Sequence, residues 1–161
     1  PCGVGKSTLA KELARNLKKS ALIKGDDFLS MYEEGSAPPW DEQLIIMWKH
    51  ILSLTQTFIQ HDFHVIIDTV VEDELAWFCK HFSSLNLHIK YVVLRADEDI
   101  LMERLNNRGD QYLIERSLFL LNKLENTPAN TPYIYDTNHK QPAEVLKDII
   151  KLPNFLYQTH K

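Results

Sequence analysis

The sequence predicts an α/β domain built around a mainly parallel β-sheet, and three of its features support that fold class. Short apolar segments alternate with segments of helical periodicity along the 161 residues, an order typical of parallel strands joined by helices. The run His64–Asp68 is almost continuously apolar, as expected of a strand buried on both faces. A glycine-rich turn at residues 1–5 leads directly into the first helical pattern.

The composition indicates a single globular domain spanning residues 1–161. Hydrophobic residues make up 44% and charged residues 25%, which is ordinary for a domain with its own core. The net charge of −4 argues against a general nucleic-acid-binding protein, and no apolar run reaches the length of a membrane span. The two cysteines form no metal-ligand pattern and suit the reducing cytoplasm, where we expect the protein to reside.

The first eight residues carry the most specific motif of the chain. They match G-x-x-x-x-G-K-[ST], the phosphate-binding loop, from its second position onward. The first glycine of the motif would stand immediately before Pro1, so we expect the natural protein to carry it there, after a short buried strand. The residues predicted to bind a nucleotide are Cys2, Gly3, Val4, Gly5, Lys6, Ser7 and Thr8.

Each type of residue in this loop has a chemical reason. Gly3 and Gly5 allow backbone angles that let successive N–H groups face phosphate oxygens, and the following helix adds its positive end. We expect Lys6 to reach the β- and γ-phosphates, Ser7 to bind Mg²⁺ and Thr8 to contact an inner phosphate. The alternative is a chance glycine-rich turn, which does not account for the helical pattern that follows.

Carboxylates follow two predicted strands at the points where the strands end. Asp26 and Asp27 come after the strand Ser20–Lys24, and Asp68 ends the strand His64–Asp68. The carboxyl ends of strands border the crevice where α/β sheets bind ligands. Asp26 or Asp27 is therefore a candidate base for a substrate hydroxyl, and Asp68 a candidate ligand of Mg²⁺ or substrate. Aspartate is also common in turns and helix caps, and that alternative stays open for all three.

The remaining elements follow from local patterns. Asp41 is predicted to be the N-cap of a helix over residues 42–60, and Pro142 is predicted to open the last helix, over residues 142–150. Further helices are predicted at residues 9–17, 72–85, 96–108 and 113–124, and further strands at residues 88–94 and 133–137.

Two arginines lie on one face of the predicted helix 96–108. Arg104 and Arg108 are four residues apart, so they are neighbours on the helix surface. Guanidinium groups near a phosphoryl group lower the barrier to its transfer. An arginine finger accelerates the reaction by a factor of roughly 10³–10⁵. We therefore predict that Arg104 or Arg108 lies near the phosphates. The alternative is a solvated helix face shared with Glu103.

The order of these motifs resembles the P-loop small-molecule kinases related to shikimate kinase, gluconate kinase and chloramphenicol phosphotransferase. It is most similar to bacterial ATP-binding proteins classed with gluconate kinases, and the resemblance covers nearly the whole chain. The motifs that carry it are the loop through Thr8, Gly25-Asp26-Asp27, Pro38-Pro39-Trp40, the strand ending at Asp68, the spaced Arg104 and Arg108, and Asp136-Thr137.

This resemblance implies a P-loop NTPase fold of three α/β/α layers, with a five-stranded, mainly parallel sheet and a mobile helical lid near residues 104–116. It implies ATP and Mg²⁺ as cofactors. It places the acceptor between the Asp26 region and the helices that follow. It places the adenine near residues 137–142, which makes Thr137 a predicted cofactor-binding residue.

One departure from the family pattern concerns the acceptor. No arginine lies between Gly25 and His88, whereas kinases for anionic acceptors usually present arginine there because its fork matches phosphate and carboxylate. The segment offers carboxylates and aromatic rings instead, which predicts a neutral or cationic acceptor. An anionic acceptor could still bind to Lys49, to Lys80 or to the arginines of the lid.

We therefore predict an ATP-dependent phosphotransferase that moves the γ-phosphoryl group to a hydroxyl of a small molecule, acting as a monomer or homodimer. Two alternatives stay open. The first is a nucleotide kinase or a sugar-acid kinase of the gluconate or shikimate type. The second is an ATP-binding regulatory protein without kinase activity, which would bind ATP and show little acceptor-stimulated turnover.

Overall fold

The computed structural model describes residues 1–157, so the last four residues of the predicted domain, 158–161, lie outside the described residues. The chain divides into two compact units: unit 1 comprises Pro1–Leu9 and Cys79–Lys161, and unit 2 comprises Ala10–Phe78. The helices are α1 (Lys6–Asn16), α2 (Gly25–Leu29), α3 (Trp40–Gln60), α4 (Leu75–Lys80), α5 (Glu98–Arg108), α6 (Ile114–Asn126) and α7 (Pro142–Lys151). The strands are β1 (Ser20–Lys24), β2 (His64–Asp68), β3 (Val93–Arg95) and β4 (Ile134–Asp136), and short 3₁₀ turns cover Gln111–Leu113, Pro128–Tyr133 and Pro153–Phe155.

Unit 2 is organised around two parallel strands, which have the bounds that the sequence predicts. β1 pairs with β2 in a register that sets Lys24 opposite Asp68. The long helix α3 packs on both strands, and its residues Trp48 and Ile51 are 5% and 0% exposed. Trp48 also meets Phe78 edge to face, with ring centroids 5.6 Å apart. Burial of such large side chains contributes roughly 1.5–3 kcal/mol each, so α3 supplies much of the stability of unit 2.

Unit 1 has a second parallel pair, β3 and β4, whose register sets Arg95 opposite Asp136. Its core is one apolar cluster to which the first segment, both strands and the helices α5, α6 and α7 all contribute. The buried members are Val4, Leu9, Leu94, Ala96, Leu101, Leu121, Tyr135, Val145, Ile149 and Phe155. The glycine-rich loop is therefore anchored in this core by Val4 on one side and Leu9 on the other.

The five-stranded sheet that the resemblance implied is wrong for the described residues, which form two separate two-stranded parallel sheets, β1–β2 and β3–β4. All four strands predicted within the sequence are present. The number of strands and their parallel direction thus follow from the sequence. A single sheet needs hydrogen bonds between the two pairs, and a strand pattern does not specify them.

The predicted strand 88–94 is shorter than expected, and β3 covers only Val93–Arg95. The residues before β3 pair instead with the C-terminal segment of unit 1. The Tyr91 amide donates to the Phe155 carbonyl and the Tyr157 amide to the Ile89 carbonyl, each at 2.8 Å. This antiparallel bridge occupies the backbone groups that a longer β3 would have used.

The predicted helix 72–85 is reduced to α4, Leu75–Lys80. The Glu74 carboxylate accepts hydrogen bonds from the amides of Glu72 and Asp73, at 2.9 and 3.0 Å. These bonds hold a turn ahead of the helix, in the way that acidic side chains satisfy free amides near a helix start. The acidic residues that favoured a helix start at 72 therefore form the turn before it.

The start of α3 also differs from its prediction. The helix begins at Trp40 with Pro39 as its N-cap, so the assignment of Asp41 as the N-cap is wrong. The φ of −51° at Pro39 is fixed by its ring, and Asp41 lies in the first turn, where a negative charge is still favourable. Although α3 is 21 residues long, no helix within residues 1–157 has the length and hydrophobicity needed to cross a bilayer.

Candidate functional site

The loop at residues 1–5 has the backbone geometry that a polyphosphate cradle requires. Gly3 and Gly5 have φ values of +77° and +99°, a region that residues with a side chain rarely adopt. A Cβ on Gly5 would meet no atom within 4 Å, so open space lies beside the loop at that point. α1 begins directly afterwards at Lys6, and the amides of its first turn have no partner within the helix. The loop and the helix start together fit a bound polyphosphate.

The side chains of the motif divide into those that face solvent and those that anchor the loop. Lys6 is half-buried, and its Nζ donates to the Pro1 carbonyl at 2.8 Å, so the ammonium group is folded back along the loop. Ser7 and Thr8 are exposed in the first turn of α1. Val4 is 2% exposed and belongs to the core, which leaves only its backbone for a ligand.

The Cys2 carbonyl is held by a residue that no sequence motif predicts to be functional, Ser117. Ser117, in α6, is 0% exposed, and its hydroxyl donates to that carbonyl at 2.8 Å. Nothing in the local sequence marks Ser117, because a serine between polar and apolar residues of a helix has no distinctive pattern. Only the fold brings it to the loop.

The two predicted arginines differ in their surroundings. Arg104 is half-buried on α5 and makes no hydrogen bond or ion pair with another residue in the described range 1–157. Arg108 is exposed, and its guanidinium lies 2.9 Å from the Asp110 carboxylate. Both belong to unit 1, as the loop does. Arg104 can therefore bind an anion without first breaking a bond, whereas Arg108 would first have to leave Asp110.

Thr137 follows β4, and its side chain forms a hydrogen bond with the backbone. It is 4% exposed, and its amide and its hydroxyl both donate to the Arg95 carbonyl at 2.9 Å. The Thr137 side chain thus fixes the chain where β3 and β4 end. Its expected contact with a nucleotide stays a prediction, and the hydroxyl already has a partner.

A cluster of charges lies at the same strand ends. The Arg95 guanidinium is within 2.7 Å of Glu125, 2.6 Å of Asp136 and 2.7 Å of Asp97, and these bonds, that to Glu125 most of all, raise its pKa above the usual range. Partial burial works against the charge on Asp136, but the Asn138 amide and the Arg95 guanidinium outweigh it and hold the pKa of that carboxyl below its usual value. The cluster ties the ends of β3 and β4 to α6.

The predicted carboxylates of unit 2 meet at one edge of the β1–β2 sheet. Asp68 is the last residue of β2 and is paired in register with Lys24, the last residue of β1. Asp26 and Asp27 follow at once in α2, and the Asp27 carboxylate lies 3.9 Å from the Lys24 ammonium. The pairing of β1 and β2 therefore brings these three acidic residues to the same end of the sheet.

A close contact holds that edge together. A Cβ on Gly25 would lie 2.4 Å from Thr69 Oγ1 and 3.2 Å from Met47 Sδ. Any larger residue at position 25 would push the end of β1 away from the residue that follows β2. Gly25 is needed here for close approach, since its φ is not positive.

The protein oxygens available at the loop fit a magnesium ion whose ligands are mostly waters and phosphate oxygens of the substrate. Within residues 1–157, no group of three or more His, Cys, Asp or Glu side chains is arranged to hold a metal ion. Mg²⁺ usually keeps several waters and binds one or two protein oxygens together with phosphate oxygens. The exposed hydroxyl of Ser7 at the loop is a protein oxygen of that kind.

The comparisons with known proteins agree with this loop. The sequence matches the family AAA_18, described as an AAA domain, over residues 1–126. The fold is shared with the tunicamycin resistance protein of Deinococcus radiodurans, at a TM-score of 0.65 and 19% identity, over 92% of this chain and 88% of that chain. No curated protein matches the sequence. Because the family match covers well over half of the residues, the chain belongs to the AAA domain family and has its P-loop NTPase-like, kinase-like α/β fold.

Proposed function

We propose that this protein is an ATP-dependent phosphotransferase, which moves the γ-phosphoryl group of ATP to a hydroxyl group of a small molecule. The observation that carries the proposal is the loop, in which Gly3 and Gly5 adopt positive φ directly ahead of Lys6 and the start of α1. Such a loop presents several N–H groups and one ammonium to a polyphosphate. Membership of a kinase-like P-loop family supports the same chemistry.

Donor binding is assigned to unit 1. Lys6 exchanges its bond to the Pro1 carbonyl for the β- and γ-phosphate oxygens. The Ser7 hydroxyl would hold Mg²⁺, which would supply positive charge to the phosphate oxygens. Asp68 of unit 2 stays a separate candidate ligand of Mg²⁺ or substrate. Arg104 then stabilises the charge that develops on the transferred group, and Arg108 can join it once its pair with Asp110 opens.

The acceptor hydroxyl is assigned to the carboxylates that follow β1. The hydroxyl gives its proton to Asp26 or Asp27, and its oxygen forms a bond to the γ-phosphorus. The bond from that phosphorus to the β–γ bridging oxygen breaks, and its electron pair leaves with ADP. Both aspartates are exposed, which suits groups that must receive a substrate.

The acceptor is proposed to be neutral or cationic. No arginine lies between Gly25 and His88, and the structure adds exposed apolar side chains to that segment: Met31 is 67% exposed and Trp40 51%. Phe28 and His50 stack there with centroids 5.6 Å apart and rings inclined by 13°. Aromatic faces beside carboxylates suit an acceptor with apolar surface and hydroxyl or amino groups.

The first test measures nucleotide binding by calorimetry with MgATP. We expect the wild-type protein to bind, and Lys6→Met to bind at least about tenfold more weakly, because one charge-assisted hydrogen bond is lost. Lys11→Met is the matched control, since Lys11 lies on the same helix and is exposed. Failure of the wild-type protein to bind MgATP would remove the donor and sink the proposal.

The second test follows ADP formation with a panel of acceptors. The panel contains nucleosides, amino sugars, hydroxylated antibiotics including tunicamycin, gluconate, shikimate and nucleoside monophosphates. Tunicamycin is included because a structural neighbour is named as a tunicamycin resistance protein. Highest turnover with gluconate, shikimate or a monophosphate would overturn the proposed acceptor class. MgATP binding without stimulation by any acceptor would favour a regulatory protein.

A further inference from the structure

Ser117 is a buried polar residue in an otherwise apolar face of α6. It is 0% exposed, and the next buried residues along that face are Leu120, Leu121 and Leu124. A serine inside a helix usually returns its hydroxyl to the carbonyl one turn earlier in the same helix. The Ser117 hydroxyl instead donates to the Cys2 carbonyl, which is 115 positions away in sequence, at 2.8 Å.

This bond also determines the direction of an amide in the phosphate-binding loop. The carbonyl of Cys2 and the N–H of Gly3 belong to one peptide unit, and all peptide bonds in residues 1–157 are trans. In a planar trans peptide the C=O and N–H point in opposite directions. Because Ser117 holds the Cys2 carbonyl toward α6, the Gly3 N–H points away from that helix.

The same peptide unit is confined by α5. A Cβ on Gly3 would lie 3.2 Å from Leu105 Cγ and 3.5 Å from the Leu101 carbonyl oxygen. Both leucines are at most 1% exposed, so they have little room to move. Packing from α5 thus limits where the loop lies, while Ser117 decides how its peptide plane is turned.

We propose that Ser117 is a positioning residue for nucleotide binding, which holds the Gly3 amide in the orientation that donates to the polyphosphate. This inference rests on the proposed function for its ligand. Ser117 makes no contact with the nucleotide and acts through the Cys2–Gly3 peptide. Without the hydroxyl, the peptide plane can rotate, and the loop loses one preformed donor for a phosphate oxygen.

The test compares Ser117→Ala with a matched control, Thr127→Val. The Thr127 hydroxyl donates to the Lys123 carbonyl at 2.7 Å, so the control removes a hydroxyl–carbonyl bond at the other end of the same helix without touching the loop. Calorimetry measures the affinity for magnesium pyrophosphate and for MgATP. We expect Ser117→Ala to weaken both roughly tenfold, as loss of a positioned donor predicts, and Thr127→Val to leave them unchanged.

A second readout does not need a ligand. In the nucleotide-free protein, the hydrogen-exchange rate of the Gly3 amide, followed in ¹H–¹⁵N spectra, should rise several-fold in Ser117→Ala and stay unchanged in Thr127→Val. If the wild-type protein binds neither pyrophosphate nor ATP, the proposed function fails, and the exchange rate still decides whether Ser117 orients the loop. Unchanged exchange and unchanged affinity in Ser117→Ala would overturn the inference.

A further variant covers the case in which Ser117→Ala does not fold. Ser117→Cys keeps the shape of the side chain and offers only a weak donor, so we expect a smaller loss of pyrophosphate affinity and a smaller rise in Gly3 exchange. A melting temperature that falls equally in Ser117→Cys and Thr127→Val, with pyrophosphate affinity equal to wild type in both, would mean that Ser117 has a structural role alone.

Discussion

Unit 1 and unit 2 hold their candidate functional groups in different ways. In unit 1, side-chain bonds connect residues that are far apart in sequence: Ser117 to the Cys2 carbonyl, Thr137 to the Arg95 carbonyl, and Arg95 to Glu125. In unit 2, the carboxylates are placed by backbone pairing, which sets Asp68 opposite Lys24. The polyphosphate tail is the same in every ATP molecule, so a loop held in one conformation suits it. Within residues 1–157, the ends of β1 and β2 in unit 2 are not held by such long-range side-chain bonds. The side chains at these strand ends would therefore determine which acceptor binds.

The distribution of charge follows the same division. Of the five arginines, Arg95, Arg104, Arg108 and Arg116 belong to unit 1, and Arg15 alone belongs to unit 2. Arg15 pairs with Glu12 one turn away on α1 at 2.7 Å and is exposed. The groups suited to phosphate are thus concentrated in the unit that carries the loop. The comparison predicts that changes at Asp26 and Asp27 in unit 2 affect turnover without affecting nucleotide affinity.

The largest predicted effect is a loss in the rate of phosphoryl transfer when the aspartates after β1 are replaced. We expect Asp26→Asn to reduce single-turnover phosphoryl transfer roughly 10²–10⁴-fold, because a general base is lost, while the Kd for MgATP changes less than about twofold. Asp27→Asn should have the smaller effect, since the Asp27 carboxylate already lies 3.9 Å from the Lys24 ammonium. Rapid-quench kinetics and calorimetry measure the two quantities.

Asp73→Asn provides the control, because Asp73 is another exposed acidic residue of unit 2 that lies outside the strand ends. Its rate and affinity should match those of the wild-type protein. The comparison between the units breaks if Asp26→Asn and Asp27→Asn weaken MgATP binding as strongly as they slow transfer. Equal, small effects of both substitutions on the rate would leave the reaction without its proposed base.

The second effect is smaller and concerns the stability of unit 2. Thr55 is 4% exposed on α3, and its hydroxyl has no hydrogen-bond partner among the residues that the structure describes. Replacing a buried, unpaired hydroxyl with a methyl group of the same shape removes a desolvation cost, so Thr55→Val should raise the free energy of unfolding by about 1 kcal/mol. Urea unfolding followed by circular dichroism measures the change.

Thr57→Val is the matched variant on the same helix. The Thr57 hydroxyl is exposed and donates to the Ser53 carbonyl at 3.0 Å, so its removal should bring no gain. A wild-type or lower urea midpoint for Thr55→Val would indicate that the hydroxyl has a partner, and that unit 2 depends on polar contacts as unit 1 does.

The contrast between the units also explains how far the sequence could predict the structure. β1 and β2 have their predicted bounds because each is a short apolar run whose pattern is local. The loop was identified because glycines at fixed spacing have a direct conformational meaning. Each of these signals lies within about eight neighbouring residues, the range that periodicity and motif spacing report.

Features that depend on distant residues were missed. β3 is shorter than predicted because residues 89–91 pair with the segment around Phe155. Ser117 was overlooked because its partner, the Cys2 carbonyl, is 115 positions away. The bond from the Thr137 hydroxyl to the Arg95 carbonyl also joins distant residues, while the predicted nucleotide contact of Thr137 stays a prediction. Unit 1 is where these long-range bonds concentrate, so sequence patterns describe it less completely than they describe β1 and β2.

The smallest predicted effect tests whether the charge cluster of unit 1 contributes to its stability. The pKa of Asp136 is held below its usual value because the Asn138 amide and Arg95 outweigh the effect of partial burial. A carboxyl whose pKa is lowered by folding stabilises the protein above its unfolded pKa of about 3.9, and this contribution is lost as the pH falls through the lowered value. Since the Asp136 side chain is 49% exposed, solvent screening limits the contribution to less than about 1 kcal/mol. The urea midpoint of Asp136→Asn should therefore lie below that of the wild type at neutral pH, and the gap should narrow as the pH falls below about 4.

Asp62→Asn is the control in unit 2, because Asp62 is 92% exposed and its nearest cation, Lys19, is 3.8 Å away. A gap for Asp136→Asn that does not change with pH would mean that its neutral hydrogen bonds, and not its charge, tie the ends of β3 and β4 together.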